Sequence, residues 1–171
     1  MNKSLFPLTQ LTQSSPIECP QINVRKDWID YNGHMNMAFY NVVFDKGVDH
    51  LFDGLGIGAD YMSQTNGSCF TMEIHVTYAQ EVVLDDPLRV TAQLVDADQK
   101  RLHLFLQMFH AEKGYLAATM EQMVLHVDLT ERRAAPMPES VQTNVQMLRE
   151  AHGKLAIPRQ VGSVISIRRK Q

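Results

Sequence analysis

Seven consecutive residues, Asp30-Tyr31-Asn32-Gly33-His34-Met35-Asn36, carry the side chains best suited to chemistry, and an apolar helix pattern from Met37 to about Phe52 follows directly. Asn-Gly favours a tight turn, because both residues tolerate positive φ. Asn36 suits a helix N-cap, since its side-chain oxygen can accept from a first-turn amide. A capped helix start presents unpaired N–H groups and the positive end of the helix dipole, which is a place for a carbonyl oxygen that becomes an oxyanion. Asp30 would then act on the carbonyl carbon or on a water beside it. A plainer reading fits the same spacing: Asp, Asn and Gly gather before helices because they make turns and caps, with His34 a surface residue.

The elements that must position this stretch follow from periodicity. Ile22, Val24, Lys26 and Trp28 alternate as a first strand leading to Asp30. The helix carries Tyr40, Phe44, Val48, Leu51 and Leu55 on one stripe and Asn41, Asp45, Asp49 and Asp53 on another. Its first turns, Met37 to Phe44, are apolar on nearly every side, which predicts burial all round. Gly54, Gly56 and Gly58 end it and open a loop to about Gly67. Phe70, Met72, Ile74, Val76 and Tyr78 then alternate with polar residues, as one apolar face of an antiparallel strand. Three more strands follow: one from Leu88, one over Arg101 to Ala111 and one over Leu116 to Asp128, the last two joined by a Glu112-Lys113-Gly114 hairpin loop. Pro138 opens a short helix to about Ala151. The fold class is α+β, an antiparallel sheet curled round one central helix. Residues 1–20 read as a loose arm partly strapped across the domain, 21–150 as the domain, and 151–171 as a tail able to pack on a neighbour.

A chain of 171 residues suits one domain with an ordinary core. A formal charge of -3 provides no broad basic field, so nucleic acid is not an expected partner. Cys19 and Cys69 suggest neither a disulfide framework nor a zinc site. Seven histidines are present, yet no His-x-His or His-Glu-x-x-His pair is among them, so no metal is expected. Residues 1–15 lack the apolar centre of a secretory signal, and no apolar run approaches the ~18 residues that cross a bilayer. The expectation is a soluble, cytoplasmic protein without a membrane anchor.

Asp30, Gly33, His34, Met35 and Asn36, with Tyr40, match the pattern Asp-x-x-Gly-His-(Val/Met)-Asn-x-x-x-Tyr. This resembles the hotdog-fold acyl-CoA thioesterases of the 4-hydroxybenzoyl-CoA thioesterase-like group. The likeness covers about residues 20–140 and includes Glu73-Ile74, Tyr78, Arg133 and Pro136-Met137-Pro138. It implies that Asp30 is the catalytic carboxylate, that helix-start amides polarise the thioester carbonyl, and that His34 and Asn36 shape the loop. Trp28, Tyr31, Asn32, Gly33, Met35, Tyr40, Phe70 and Glu73 become the substrate-binding candidates; Glu73 would position water or substrate from a partner subunit, or is an ordinary polar-face residue of its strand. It also implies no cofactor beyond the coenzyme A of the substrate, and a homodimer or tetramer with active sites at the subunit interface. Lys100, Arg101, Arg132 and Arg133 are candidates for the coenzyme A phosphates.

The tail His152-Gly153-Lys154-Leu155-Ala156-Ile157-Pro158-Arg159 with Gly162, and Lys100-Arg101-Leu102-His103-Leu104-Phe105, resembles the thioesterases of carnitine breakdown, which cleave betainyl-CoA. A trimethylammonium acyl group would favour aromatic walls, and Trp28, Tyr31, Phe39, Tyr40 and Phe70 are candidates, although core packing alone also calls for them. A hotdog domain that binds acyl-CoA or an acyl carrier without turnover is the competing expectation.

Overall fold

The computed structural model describes residues 8–167. Residues 1–7 of the expected arm, and Arg168-Arg169-Lys170 with Gln171 of the tail, lie outside the described residues. In chain order come a short 3-10 turn (Leu8–Thr12), β1 (Ile17–Glu18), β2 (Ile22–Asn23), a second 3-10 turn (Lys26–Trp28), α1 (Met37–Leu55), α2 (Ala59–Gln64), β3 (Gly67–Tyr78), β4 (Pro87–Ala97), β5 (Arg101–His110), β6 (Leu116–Asp128), β7 (Arg133–Ala134) and α3 (Glu139–His152).

The long strands form one antiparallel sheet in the order β1-β4-β5-β6-β3, with β2 also on β4 and β7 on β6. Their period-two pattern sends Val90, Ala92, Leu104, Leu106, Met108 and Met120 to the face that packs on α1. Val43, Phe44, Val48, Leu51 and Leu55 answer from the helix, all essentially excluded from solvent. Gly56 ends α1 in the left-handed conformation (φ 82°), which a residue with a Cβ adopts at a cost. The chain then makes the short α2 before β3, where the sequence reads only as loop.

Three readings from sequence change on contact with the structure. The strand expected over Ile22 to Trp28 stops early. Val24 still pairs with the Asp85-Asp86 turn (Val24 N to Asp86 O, 3.0 Å), but Trp28 N then donates to Arg25 O at 3.0 Å and the chain curls to bury the indole. The start of α1 is not buried all round: Met37 is 62% exposed and Val42 40%. On β3 the register slips between Thr71 and Glu73. A bulge of this kind exchanges the faces of a strand. Ile74, Val76 and Tyr78 therefore share the helix side, whereas Phe70, paired with Leu125, faces outward.

The remaining segments cover the sheet ends. Ile17 pairs with Ala92, and Leu11 and Ile17 are buried. α3 lies beside the far end of α1, where Asn144 Nδ2 donates to Leu55 O (3.1 Å). The described part of the tail meets its own sheet: Gln93 Nε2 donates to Ala156 O (3.3 Å), and Gly162 N to Glu121 Oε2 (2.8 Å).

His152 fastens the arm to this assembly. Its Nδ1 accepts from Leu94 N (2.9 Å) and its Nε2 donates to Ser15 O (3.0 Å), a pattern that requires the neutral ring. Burial pushes its pKa below the ordinary histidine value, against the opposing pull of the Ser15 bond, and burial also lowers His50. A depressed histidine pKa leaves the unfolded state binding more protons, so stability is full above the unfolded pKa of about 6.5 and declines as pH falls through it toward the folded value. The urea midpoint is expected to fall between about pH 7 and about pH 5, by less in His152→Asn than in the wild type. An equal fall in both would remove His152 from this account.

Candidate active site

The loop before α1 is closed by its own backbone. Asp30 N donates to His34 O and Gly33 N to Asp30 O, both at 3.0 Å, while Asp30 Oδ1 accepts from Asn32 N at 2.8 Å. Gly33 has φ 83°, the left-handed geometry that Asn-Gly anticipates. Ile29 bridges Met35, and Asn36 N reaches back to Trp28 O (2.9 Å). Asn36 then caps α1, its side-chain oxygen accepting from Ala38 N at 3.0 Å. The half-buried Asp30 is thus held beside the positive end of the α1 dipole. Asn36→Ala should cost about 1 kcal/mol, read as a lower urea midpoint; an unchanged midpoint would deny the cap its role.

A second segment anchors the loop, and sequence periodicity offers no sign of it. Val82 O accepts from Met35 N (2.9 Å), the Val82 backbone N–H donates to the Tyr40 phenol oxygen, and His34 Nε2 lies 3.4 Å from Glu81 Oε2. Burial raises the Tyr40 pKa above its ordinary value, with the Val82 bond opposing. Tyr40 meets Tyr78 edge to face, ring centroids 5.1 Å apart, and Tyr115 donates to Glu81 O (3.1 Å). Glu81 is therefore a candidate site residue added by the fold.

Asp30, Asn32, Gly33, His34, Met35, Asn36 and Tyr40 come together in this loop and helix start, while the aromatic candidates do not form a box in one chain. Trp28 is buried, stacked on Phe39 at 5.7 Å, and the Arg25 guanidinium lies 5.5 Å from its ring centroid. Tyr31 is 97% exposed, and Phe70 lies on the outward face. Glu73 shares that outward face, in a cavity of about 310 Å³ lined also by His75, His103 and Glu121. There His103 Nε2 lies 2.7 Å from Glu121 Oε1. Among the basic candidates, Arg101 pairs with Asp98 and Arg133 with Glu131. Among the described residues no group of three or more His, Cys, Asp or Glu could hold a metal ion, and no helix is long and apolar enough to cross a membrane.

Residues 24–145, which include the loop, the central helix and the four long strands, match the family model of the thioesterase-like superfamily. The chain belongs to the thioesterase-like superfamily. This superfamily chain is 38% identical over 144 residues to a betainyl-CoA thioesterase of Pseudomonas aeruginosa, a match covering 84% of this chain and 91% of the relative. It is 33% identical over 163 residues to an L-carnitine dehydrogenase/betainyl-CoA thioesterase of Rhizobium meliloti, covering 95% of this chain but 33% of that longer protein. A Staphylococcus aureus protein solved in complex with CoA superposes with a TM-score of 0.85 at 32% identity, covering 91% of this chain and 98% of the other. The single hotdog domain is the fold observed, and this superfamily member is a thioester hydrolase.

Proposed function

We propose that the chain hydrolyses acyl-CoA thioesters at the Asp30 loop, with betainyl-CoA its preferred substrate. The observation that carries this is the Asp30 carboxylate held by Asn32 N, in a loop closed by the Gly33 N to Asp30 O bond, beside the capped start of α1. A thioester carbonyl there has its oxygen toward first-turn amides, which hold the charge that develops in the transition state. Asp30 either takes a proton from water as the water adds to the carbonyl carbon, or adds itself to form a mixed anhydride that water then cleaves. In both routes the C–S bond breaks, coenzyme A leaves as the thiolate, and the acyl group leaves as a carboxylate. His34 and Asn36 hold the loop; no metal or bound cofactor is called for.

The acyl group is assigned from the Pseudomonas aeruginosa and Rhizobium meliloti relatives, both named for betainyl-CoA. The reaction centre is completed by a second copy. β3 ends the strand order; its exposed Tyr78 donates to Met37 O (3.3 Å), and its exposed Ile74 shares a cavity wall with Val42 of α1. An apolar strip beside an open strand edge suits a two-fold pairing of β3 with β3, in a dimer or larger assembly. A reducing cytoplasm suits the free Cys19 and Cys69, whose thiols burial pushes up to about 12.

Free-thiol release from betainyl-CoA, short and long straight-chain acyl-CoAs and aromatic acyl-CoAs tests the reading and ranks the substrates. Betainyl-CoA is expected to lead. Tight coenzyme A binding without release from any member would replace the enzyme by a binding domain.

A further inference from the structure

The helix stripe Asn41, Asp45, Asp49, Asp53 is not accounted for by the reaction at Asp30. Asn41 and Asp45 line a cavity of about 250 Å³ between α1 and the open-edge side of the sheet, closed by Thr71, Ile74, Met120 and Gln122. That is the space of roughly eight waters, enough for a short acyl group. Gln122 is only 3% exposed; its Nε2 donates to Thr71 Oγ1 (2.7 Å), yet among the described residues its Oε1 has no partner, and neither does the buried Oδ1 of Asn41. Buried oxygens are ordinarily satisfied. Two that are not, in the wall of a cavity that the Asp45 carboxylate also lines, mark a place made to meet positive charge.

The stripe itself points the same way. Acids four apart on a helix repel one another. Burial, and after it the charges of Asp45 and Asp53, raise the pKa of Asp49 above the ordinary carboxylate value, with Lys46 the opposing cation. The aromatic candidates for a cation box are meanwhile dispersed, Trp28 already having Arg25 over its ring.

We propose that the cavity lined by Asn41, Asp45 and Gln122 is the specificity element that selects acyl groups bearing a cation, quaternary ammonium above all. This rests on the thioesterase reading. A quaternary ammonium has no N–H to donate and spreads its charge over methyl groups. It is matched by accepting oxygens of Asn41 and Asp45 on the helix and of Gln122 on the sheet, with the apolar Ile74 and Met120 beside Gln122. Along the α1 axis Asn41 lies about 7.5 Å, and Asp45 about 13.5 Å, beyond Asn36. Asn41 is thus within a short acyl group's neighbourhood, while Asp45 acts through its charge rather than by touching the reacting carbonyl.

The test is the ratio of kcat/KM for betainyl-CoA to that for tert-butylacetyl-CoA, which has the same shape with carbon in place of nitrogen. Asp45→Asn is expected to lower this ratio about fivefold or more. Asp53→Asn removes the same charge outside the cavity lining and is expected to leave the ratio unchanged. A ratio indifferent to Asp45→Asn, or lowered equally by Asp53→Asn, would overturn the assignment while leaving the thioesterase intact. Thiol release from neither substrate would overturn the thioesterase reading, and the assignment with it.

Discussion

Asp30→Asn is expected to lower kcat for thioester cleavage by about a thousandfold or more, with the fold retained. The geometry makes this substitution informative. Asp30 Oδ1 accepts from Asn32 N, and the loop is closed by Asp30 N and O with His34 and Gly33. Asparagine keeps an accepting oxygen for that first bond and leaves the backbone bonds untouched. What it loses is the negative charge and the basicity, which are the properties hydrolysis needs. Steady-state kinetics, with circular dichroism and coenzyme A binding measured on the same sample, separates the two. A variant within about tenfold of the wild-type rate would remove Asp30 from the chemistry.

The second large effect concerns stability. Phe44 is fully excluded from solvent and projects from α1 into the core that Val90, Leu104, Leu106 and Met120 line from the sheet. Phe44→Ala removes a large buried ring and leaves a cavity that the surrounding strands only partly refill, at about 3–5 kcal/mol. Domains of this kind have about 5–15 kcal/mol in all, so much of the margin would go. The expected result is a lower urea midpoint with an unchanged slope. A loss below about 1 kcal/mol would mean that the helix does not depend on this contact.

The residues of the Asp30 loop are legible in the sequence because their causes are local. Asn32-Gly33 requires a turn, Asn36 requires a helix after it, and the Asp30 carboxylate falls where the turn closes; each is satisfied within seven residues. β5 and β6 are equally plain, since long period-two runs have few other solutions. What escaped has tertiary causes. The bulge after Thr71 leaves no mark on hydropathy, yet it turns Phe70 away from Ile74. α2 is six residues following a glycine-rich stretch, too short to display a period. Glu81 and Val82 anchor the loop through a carboxylate and a backbone carbonyl, and neither advertises a partner more than forty residues earlier. The exposed Met37 and Val42 read as core because sequence cannot distinguish an apolar helix face turned to the sheet from one left at the surface of the chain.

The most direct measurement of the central claim is kcat/KM for betainyl-CoA, followed by free-thiol release from the purified chain. The account predicts sustained release at about 10⁴ M⁻¹s⁻¹ or higher, in the ordinary range of enzymes. Release no faster than the spontaneous reaction, by a folded chain that still binds coenzyme A, would contradict it.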